Sequence, residues 1–301
     1  MTKNVLGLIG NTPIVGLAKL NNTKSTILAK LEALNPSGSI KDVMALYMLD
    51  VAEKNGLLKP GNKIIEETSG NTGISFAMIA ALKGYQFVAV MPEHMSQERR
   101  QMMQAFGAEI VLTPEKEGFA GALETLEQLG KENKDAWLPR QFSNPDNTAA
   151  HREITGKRIL QAINDRIDVF VTGVGTGGTL MGVAEALKAV YPEVRIVAVE
   201  PAESAVMSGG EASNHIIQGI GPGFIPDLVN MDLIDEVIKV KSDDAAEMTK
   251  RLIQEEGLMV GISSGANVLA SLEVAQKSGK GKTIVTILPD RGERYLSMNL
   301  L

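Results

Sequence analysis

The chain has 301 residues, long for one hydrophobic core, so two domains or one large α/β unit is expected. A hydrophobic content of 44% with 22% charged residues is that of an ordinary globular protein, while a net charge of −6 and 4% aromatics argue against nucleic acid or an anionic membrane surface as the main partner. The absence of cysteine excludes disulfides, thiolate metal sites and a cysteine nucleophile.

In chain order, Ile9-Gly10-Asn11-Thr12-Pro13 is a turn and 26–31 reads as a strand. The turn Asn35-Pro36-Ser37-Gly38 runs into a helix over 40–54, where Ile40, Met44, Tyr47 and Val51 recur at helical spacing. Strands and helices then alternate: strand 63–66, helix 72–82, strand 87–91, helix 96–106 capped by Ser96, strand 109–112, helix 119–129. After the polar stretch 141–147 come helix 148–164, strand 169–172, helix 179–189 and strand 195–199. Residues 201–233 are irregular and long enough to be functional. Strand 236–240, helices 243–256 and 266–277, and strand 283–288 complete the chain. Unalternating apolar strands in a βαβα rhythm imply open parallel sheets with helices on both faces, divided into two α/β domains at a seam near residue 145.

His94, His151 and His215 are far apart and lack metal-ligand spacing, which leaves them as surface or packing residues. No apolar run approaches a membrane span, and the N-terminal residues show no apolar segment with a cleavage site, so a cytoplasmic protein is expected.

Lys41 stands in the first turn of its helix, where the macrodipole disfavours a cation and a lowered pKa makes an amine a better nucleophile. The loop 68–73 (Thr-Ser-Gly-Asn-Thr-Gly) offers amides and hydroxyls at a helix start, a receptor for carboxylate or phosphate. The loop 173–179 carries four glycines and two threonines after a strand, suited to closing around a phosphate. Gly173, Gly175 and Gly178 also satisfy GxGxxG, and Glu200 ends the next strand, so a dinucleotide site stays open at this point. The loops 261–266, 219–224 and 289–295 are each, taken singly, turns as readily as sites.

In this order the loops resemble those of the cysteine synthase (O-acetylserine sulfhydrylase) family. The resemblance rests on Ile9-Gly10-Asn11-Thr12-Pro13, Asn35-Pro36 with Ser39-Ile40-Lys41-Asp42, the loop 68–73, Met91-Pro92 with Met95-Ser96-Gln97-Glu98-Arg99-Arg100, and Gln141-Phe142-Ser143-Asn144-Pro145. It continues through the loop 173–179, His215 with Gln218-Gly219-Ile220-Gly221, the loop 261–265 and Gly292-Glu293-Arg294-Tyr295-Leu296-Ser297, essentially the whole chain.

The resemblance implies a tryptophan synthase β-like α/β fold (fold type II of the pyridoxal-phosphate enzymes) with two open-sheet three-layer domains. A smaller mobile domain, 35–145, would close on substrate, and a larger one, 1–34 plus 146–301, would hold the cofactor phosphate. It implies pyridoxal 5′-phosphate bonded to Lys41. Gly175, Thr176, Gly177, Gly178 and Thr179 would hold the phosphate in place of a dinucleotide, Asn71 the 3′-oxygen, and Ser263 would face the pyridine nitrogen. Thr68, Ser69, Asn71, Thr72, Gln141 and Gly219 would bind the substrate, its α-carboxylate above all.

The implied reaction is β-replacement on O-acetylserine through an α-aminoacrylate, with sulfide giving cysteine and Lys41 as base. Homocysteine as acceptor, or a desulfhydrase releasing sulfide, are the alternatives. A homodimer, and a serine acetyltransferase C-terminal tail as partner, are further implications. Val43 stands where the family often has arginine, and an arginine-rich segment of the B-type enzymes is missing around 205–220, which favours O-acetylserine over more anionic substrates.

Overall fold

The computed structural model describes residues 4–298; residues 1–3, where the reading of the N-terminus begins, and 299–301 lie outside it. A six-stranded sheet has the order β1-β2-β9-β6-β7-β8, with β1 Ile14–Gly16, β2 Thr26–Leu31, β6 Val169–Gly173, β7 Arg195–Pro201, β8 Glu236–Val240 and β9 Thr283–Leu288. A three-stranded sheet has the order β3-β4-β5, with β3 Lys63–Glu67, β4 Gln86–Pro92 and β5 Glu109–Thr113.

All pairings are parallel except β1 with β2. That exception adds a short antiparallel edge strand to the open parallel sheet expected. The link from β1 to β2 holds no crossover helix, and a short link returns the chain antiparallel.

Period-two burial splits each sheet between two cores. In β6, Val169 and Val171 pack on the face shared with Val268 and Leu272 of α9 (Ile262–Ser278), whereas Phe170 faces Leu180, Val183 and Leu187 of α7 (Gly178–Val190). In the small sheet, Ile64, Phe87, Ala89 and Met91 face α1 (Lys41–Lys54) and α2 (Asn71–Lys83), while Ile65, Val88 and Val90 face Ala122 and Leu126 of α4 (Gly118–Glu132). Both sheets are therefore three-layered, as the α/β reading required.

Between β5 and β6 the chain differs from the single helix expected over 148–164. It forms α5 (Pro145–Ala150), a π-helical stretch His151–Gly156 and α6 (Lys157–Ala162). Pro145 at the helix start supplies a preset φ, and Asn144 caps the Asp146 amide at 2.9 Å. Helices α3 (Gln97–Ala105) and α8 (Ser242–Glu256) complete the covering layers. The C-terminal ends of β3, β6 and β9 open towards one cleft, the position an open sheet gives its ligand.

Candidate active site

A cavity of about 510 Å³ is lined by Lys41, the loop after β3, the glycines after β6, Ser263 and Asp290. Lys41 is the first residue of α1. A buried network holds the turn in front of it. The Lys30–Glu32 ion pair, 3.1 Å long and fully enclosed, is tied to Thr12 and to the Asn35 amide, and Asn35 accepts the Gly10 N–H at 2.8 Å. Asp42 accepts from the Ser37 amide at 2.7 Å, from the Ser37 hydroxyl and from Ser75 at 2.6 Å, so its carboxylate closes the turn rather than facing substrate. Burial lowers the Lys41 pKa and outweighs the opposing pull of the Asp290 carboxylate.

The loop after β6 turns at Gly177, whose φ of 87° is the left-handed region, and enters α7 at Gly178. A Cβ on Gly178 would come 2.1 Å from Asn147 Oδ1, and one on Gly175 2.4 Å from the Gly219 carbonyl, so this cradle closes only without side chains. The first-turn amides of α7 have no intrahelical acceptors and meet an anion on a positive dipole end. Asn147 Nδ2 donates to Thr176 Oγ1 at 2.9 Å and to the Gln141 carbonyl at 2.8 Å. Thr179 Oγ1 meets His151 Nε2 at 3.2 Å, and His151 Nδ1 meets Thr155 at 2.9 Å. Burial, then the nearby Lys41 charge, pushes His151 down to about 3, so the imidazole beside this cradle is neutral. His151 is thus a buried packing residue, as expected, held behind the cradle through Thr179, whereas His215 lines the cavity.

On the opposite wall, Thr72 donates to Gln141 Oε1 at 2.7 Å, and Thr68 Oγ1 accepts the Gly73 amide at 3.1 Å. Ser69 and Gly219 (φ 95°) also line the cavity. Asn71 donates to Asp290 Oδ2 at 2.7 Å and accepts from Arg294; Tyr295 donates to the same Oδ2 at 2.6 Å. The helix expected from 266 begins at Ile262 instead, which sets Ser263 in the first turn of α9 rather than in a loop. Of the cofactor- and substrate-binding residues expected from the sequence, all but Gly178 line this cavity, and Gly178 packs behind it against Asn147.

Glu200 does not serve a ribose. Its buried carboxylate is taken up by the Met207 amide at 2.8 Å, the Ser208 amide at 3.1 Å and the Ser208 hydroxyl, which removes the acid a dinucleotide site needs. Asn147, Asp290 and Glu67 were not singled out individually, because what makes each of them part of the site is a neighbour distant in the chain.

A lysine whose pKa is lowered by burial, sharing one cavity with a glycine cradle at a helix N-terminus and with a hydroxyl and amide receptor, fits an α/β enzyme whose cofactor bears a phosphate and an aldehyde. The residues fit that group: the cradle leaves room only for backbone, and the lysine opens into the same cavity. The chain belongs to the pyridoxal-phosphate dependent enzyme family, whose model matches residues 5–290, and its cofactor is pyridoxal 5′-phosphate.

The chain is 49% identical over 299 residues to a cysteine synthase of Staphylococcus aureus, covering 99% of this chain and 96% of that one. It superposes with a TM-score of 0.96 on O-acetylserine sulfhydrylase isoform 3 from Entamoeba histolytica, at 45% identity, covering 100% and 91% of the two chains. An O-acetylserine dependent cystathionine β-synthase from Helicobacter pylori matches with a TM-score of 0.93 at 38% identity, covering 99% and 98%.

Proposed function

We propose that this chain is a cysteine synthase: it exchanges the acetoxy group of O-acetylserine for sulfide, releasing acetate and cysteine. The observation that carries the proposal is the shared cavity, in which Lys41, the 175–179 cradle and the Thr72–Gln141 receptor face one volume. Pyridoxal phosphate, when bound, supplies the electron sink that makes the Cα–H acidic and lets acetate leave Cβ.

The chain's own residues do the rest. Gly175, Thr176, Gly177, Gly178 and Thr179 bind the phosphate through amides and hydroxyls. Thr68, Ser69, Thr72 and Gln141 take the α-carboxylate, with Asn71 and Gly219 completing the wall. Lys41, whose charged form burial disfavours, removes the α-proton and returns it to the same atom. Ser263, in the first turn of α9, would offer the pyridine nitrogen a neutral hydroxyl, which suits elimination of a good leaving group.

The proposal extends to a closing segment 35–145 over a body of 1–34 plus 146–301, consistent with the separate three-stranded sheet. It extends also to a homodimer, to a cytoplasmic location, and to a serine acetyltransferase C-terminal tail docking at the carboxylate receptor. Among the described residues no helix is long and apolar enough to cross a membrane.

The test is to mix the purified holoenzyme with O-acetylserine alone and measure acetate, then add sulfide or homocysteine and compare cysteine with cystathionine. One equivalent of acetate per site, followed by faster turnover with sulfide, is expected. No acetate release would refute the assignment, and faster turnover with homocysteine would move it to cystathionine synthesis.

A further inference from the structure

Part of the cavity's lining belongs to neither the cofactor cradle nor the carboxylate receptor. It comprises, among others, Glu67 at the end of β3, Met95 and Arg99 from the start of the α3 region, Phe119 at the start of α4, and Phe142. Glu67 is 7% exposed, and among the described residues its carboxyl has no hydrogen bond or ion pair; only its backbone carbonyl is used, accepting from Gln141 Nε2 at 3.3 Å. Its strand neighbour Glu66 is different: both of that carboxylate's oxygens are taken, by the Arg140 amide at 2.8 Å and the Gln141 amide at 3.0 Å. A buried, unpartnered carboxyl costs stability. Here the residue lines the reaction cavity and directly precedes the Thr68–Ser69 receptor in the chain.

We propose that the Glu67 carboxylate is the base that takes the S–H proton of the incoming thiol as the S–Cβ bond forms. This rests on the β-replacement reading above. The electrons balance: the Cβ–O pair has left with acetate, the S–H pair becomes the S–Cβ bond, the Cα=Cβ pair returns to Cα and takes the proton held by Lys41, and the thiol proton passes from Glu67 to solvent. Lys41 is not available for this proton, because it holds the one taken from Cα.

Burial, then the charge of Glu66, pushes Glu67 up to about 8, close to a thiol's own range, where a base is most effective near neutral pH. The other charged or titratable groups lining the cavity are Arg99 on α3, Lys41, Asp290, Tyr295 and His215 from the irregular segment, while α4 presents only Phe119 there.

The test uses holoenzyme of unmodified protein and of Glu67→Gln and Glu67→Asp, loaded with O-acetylserine. The thiol step is followed with sulfide, trifluoroethanethiol, mercaptoethanol and cysteamine, each rate being divided by acetate release from the same preparation. In Glu67→Gln the ratio is expected to fall on the order of a hundred-fold for weakly acidic mercaptoethanol and only a few-fold for readily ionised sulfide, with Glu67→Asp restoring part of the loss. The unmodified thiol step rises with pH through about 8, and that rise disappears in Glu67→Gln.

Equal losses for every thiol, or a loss confined to the ammonium-bearing cysteamine, would overturn the proposal in favour of shape or amine binding. If unmodified protein releases no acetate, the β-replacement reading fails first. If it releases acetate and Glu67→Gln tracks it with every thiol, only the role of Glu67 fails.

Discussion

Burial and the Asp290 carboxylate pull the Lys41 amine in opposite directions, and burial dominates. Burial disfavours the charged form of the amine, the direction a base needs. Lys41→Ala is expected to lower the rate of acetate release on the order of a hundred- to ten-thousand-fold, while the circular dichroism of the variant stays that of the unmodified protein. Gly178 makes a separate prediction. An alanine there must move Asn147, whose Oδ1 would lie 2.1 Å from the new methyl. Overpacking of this kind costs about 1–3 kcal/mol, so Gly178→Ala is expected to release pyridoxal phosphate roughly ten-fold or more faster, read by dialysis and absorbance. Unchanged retention would mean that the cradle tolerates side-chain bulk.

At the scale of elements, position is set by polar contacts that hydrophobic pattern does not encode. The β2 end and the turn before α1 are joined by the enclosed Lys30–Glu32 pair and its links to Thr12 and Asn35. Removing one partner leaves a buried charge uncompensated. Glu32→Ala is therefore expected to cost about 3–5 kcal/mol in urea unfolding, whereas Glu273→Ala, which breaks the exposed pair with Lys277, is expected to cost less than about 1 kcal/mol. The π stretch His151–Gly156 is a second such device. It sets His151 against Thr179 beside the cradle, and π turns are often found at functional sites. Deleting one residue within 152–155 is expected to restore α-helical phase and turn His151 about 100° away, weakening cofactor retention without melting the helix.

Across the whole molecule, buried titratable groups shape the pH range of stability. His151 has a folded pKa of about 3 against an ordinary value of 6.5, so its contribution is complete above 6.5 and is lost as pH falls towards 3. Glu67 moves the other way, to about 8 from 4.5, so its contribution is complete below 4.5 and is lost as pH rises through about 8. Urea midpoints of Glu67→Gln relative to unmodified protein are expected to improve progressively from pH 5 to pH 8 at constant salt, with a slope of up to about 1.4 kcal/mol per pH unit.

Strands such as β6 and β9 were legible in the sequence because burial on both faces writes an unbroken apolar run. The antiparallel β1 was not, since three half-buried or exposed residues carry too little pattern. The glycine and threonine loops announced the cradle and the receptor through composition alone. Asp290 beside Asn71, Asn147 between two loops and the π turn left no local signal, because each depends on pairing across the chain or on hydrogen-bond phase.

The Asn147 amide spans the two halves of the cleft, donating to Gln141 on the receptor side and to Thr176 on the cradle side. Free energy passed through such a tie is reciprocal. A substrate that tightens the hold on the phosphate is itself held more tightly, by the same factor, once the phosphate is in place. With phosphate in the cradle and carboxylate in the receptor, as proposed, this one side chain would link the two affinities.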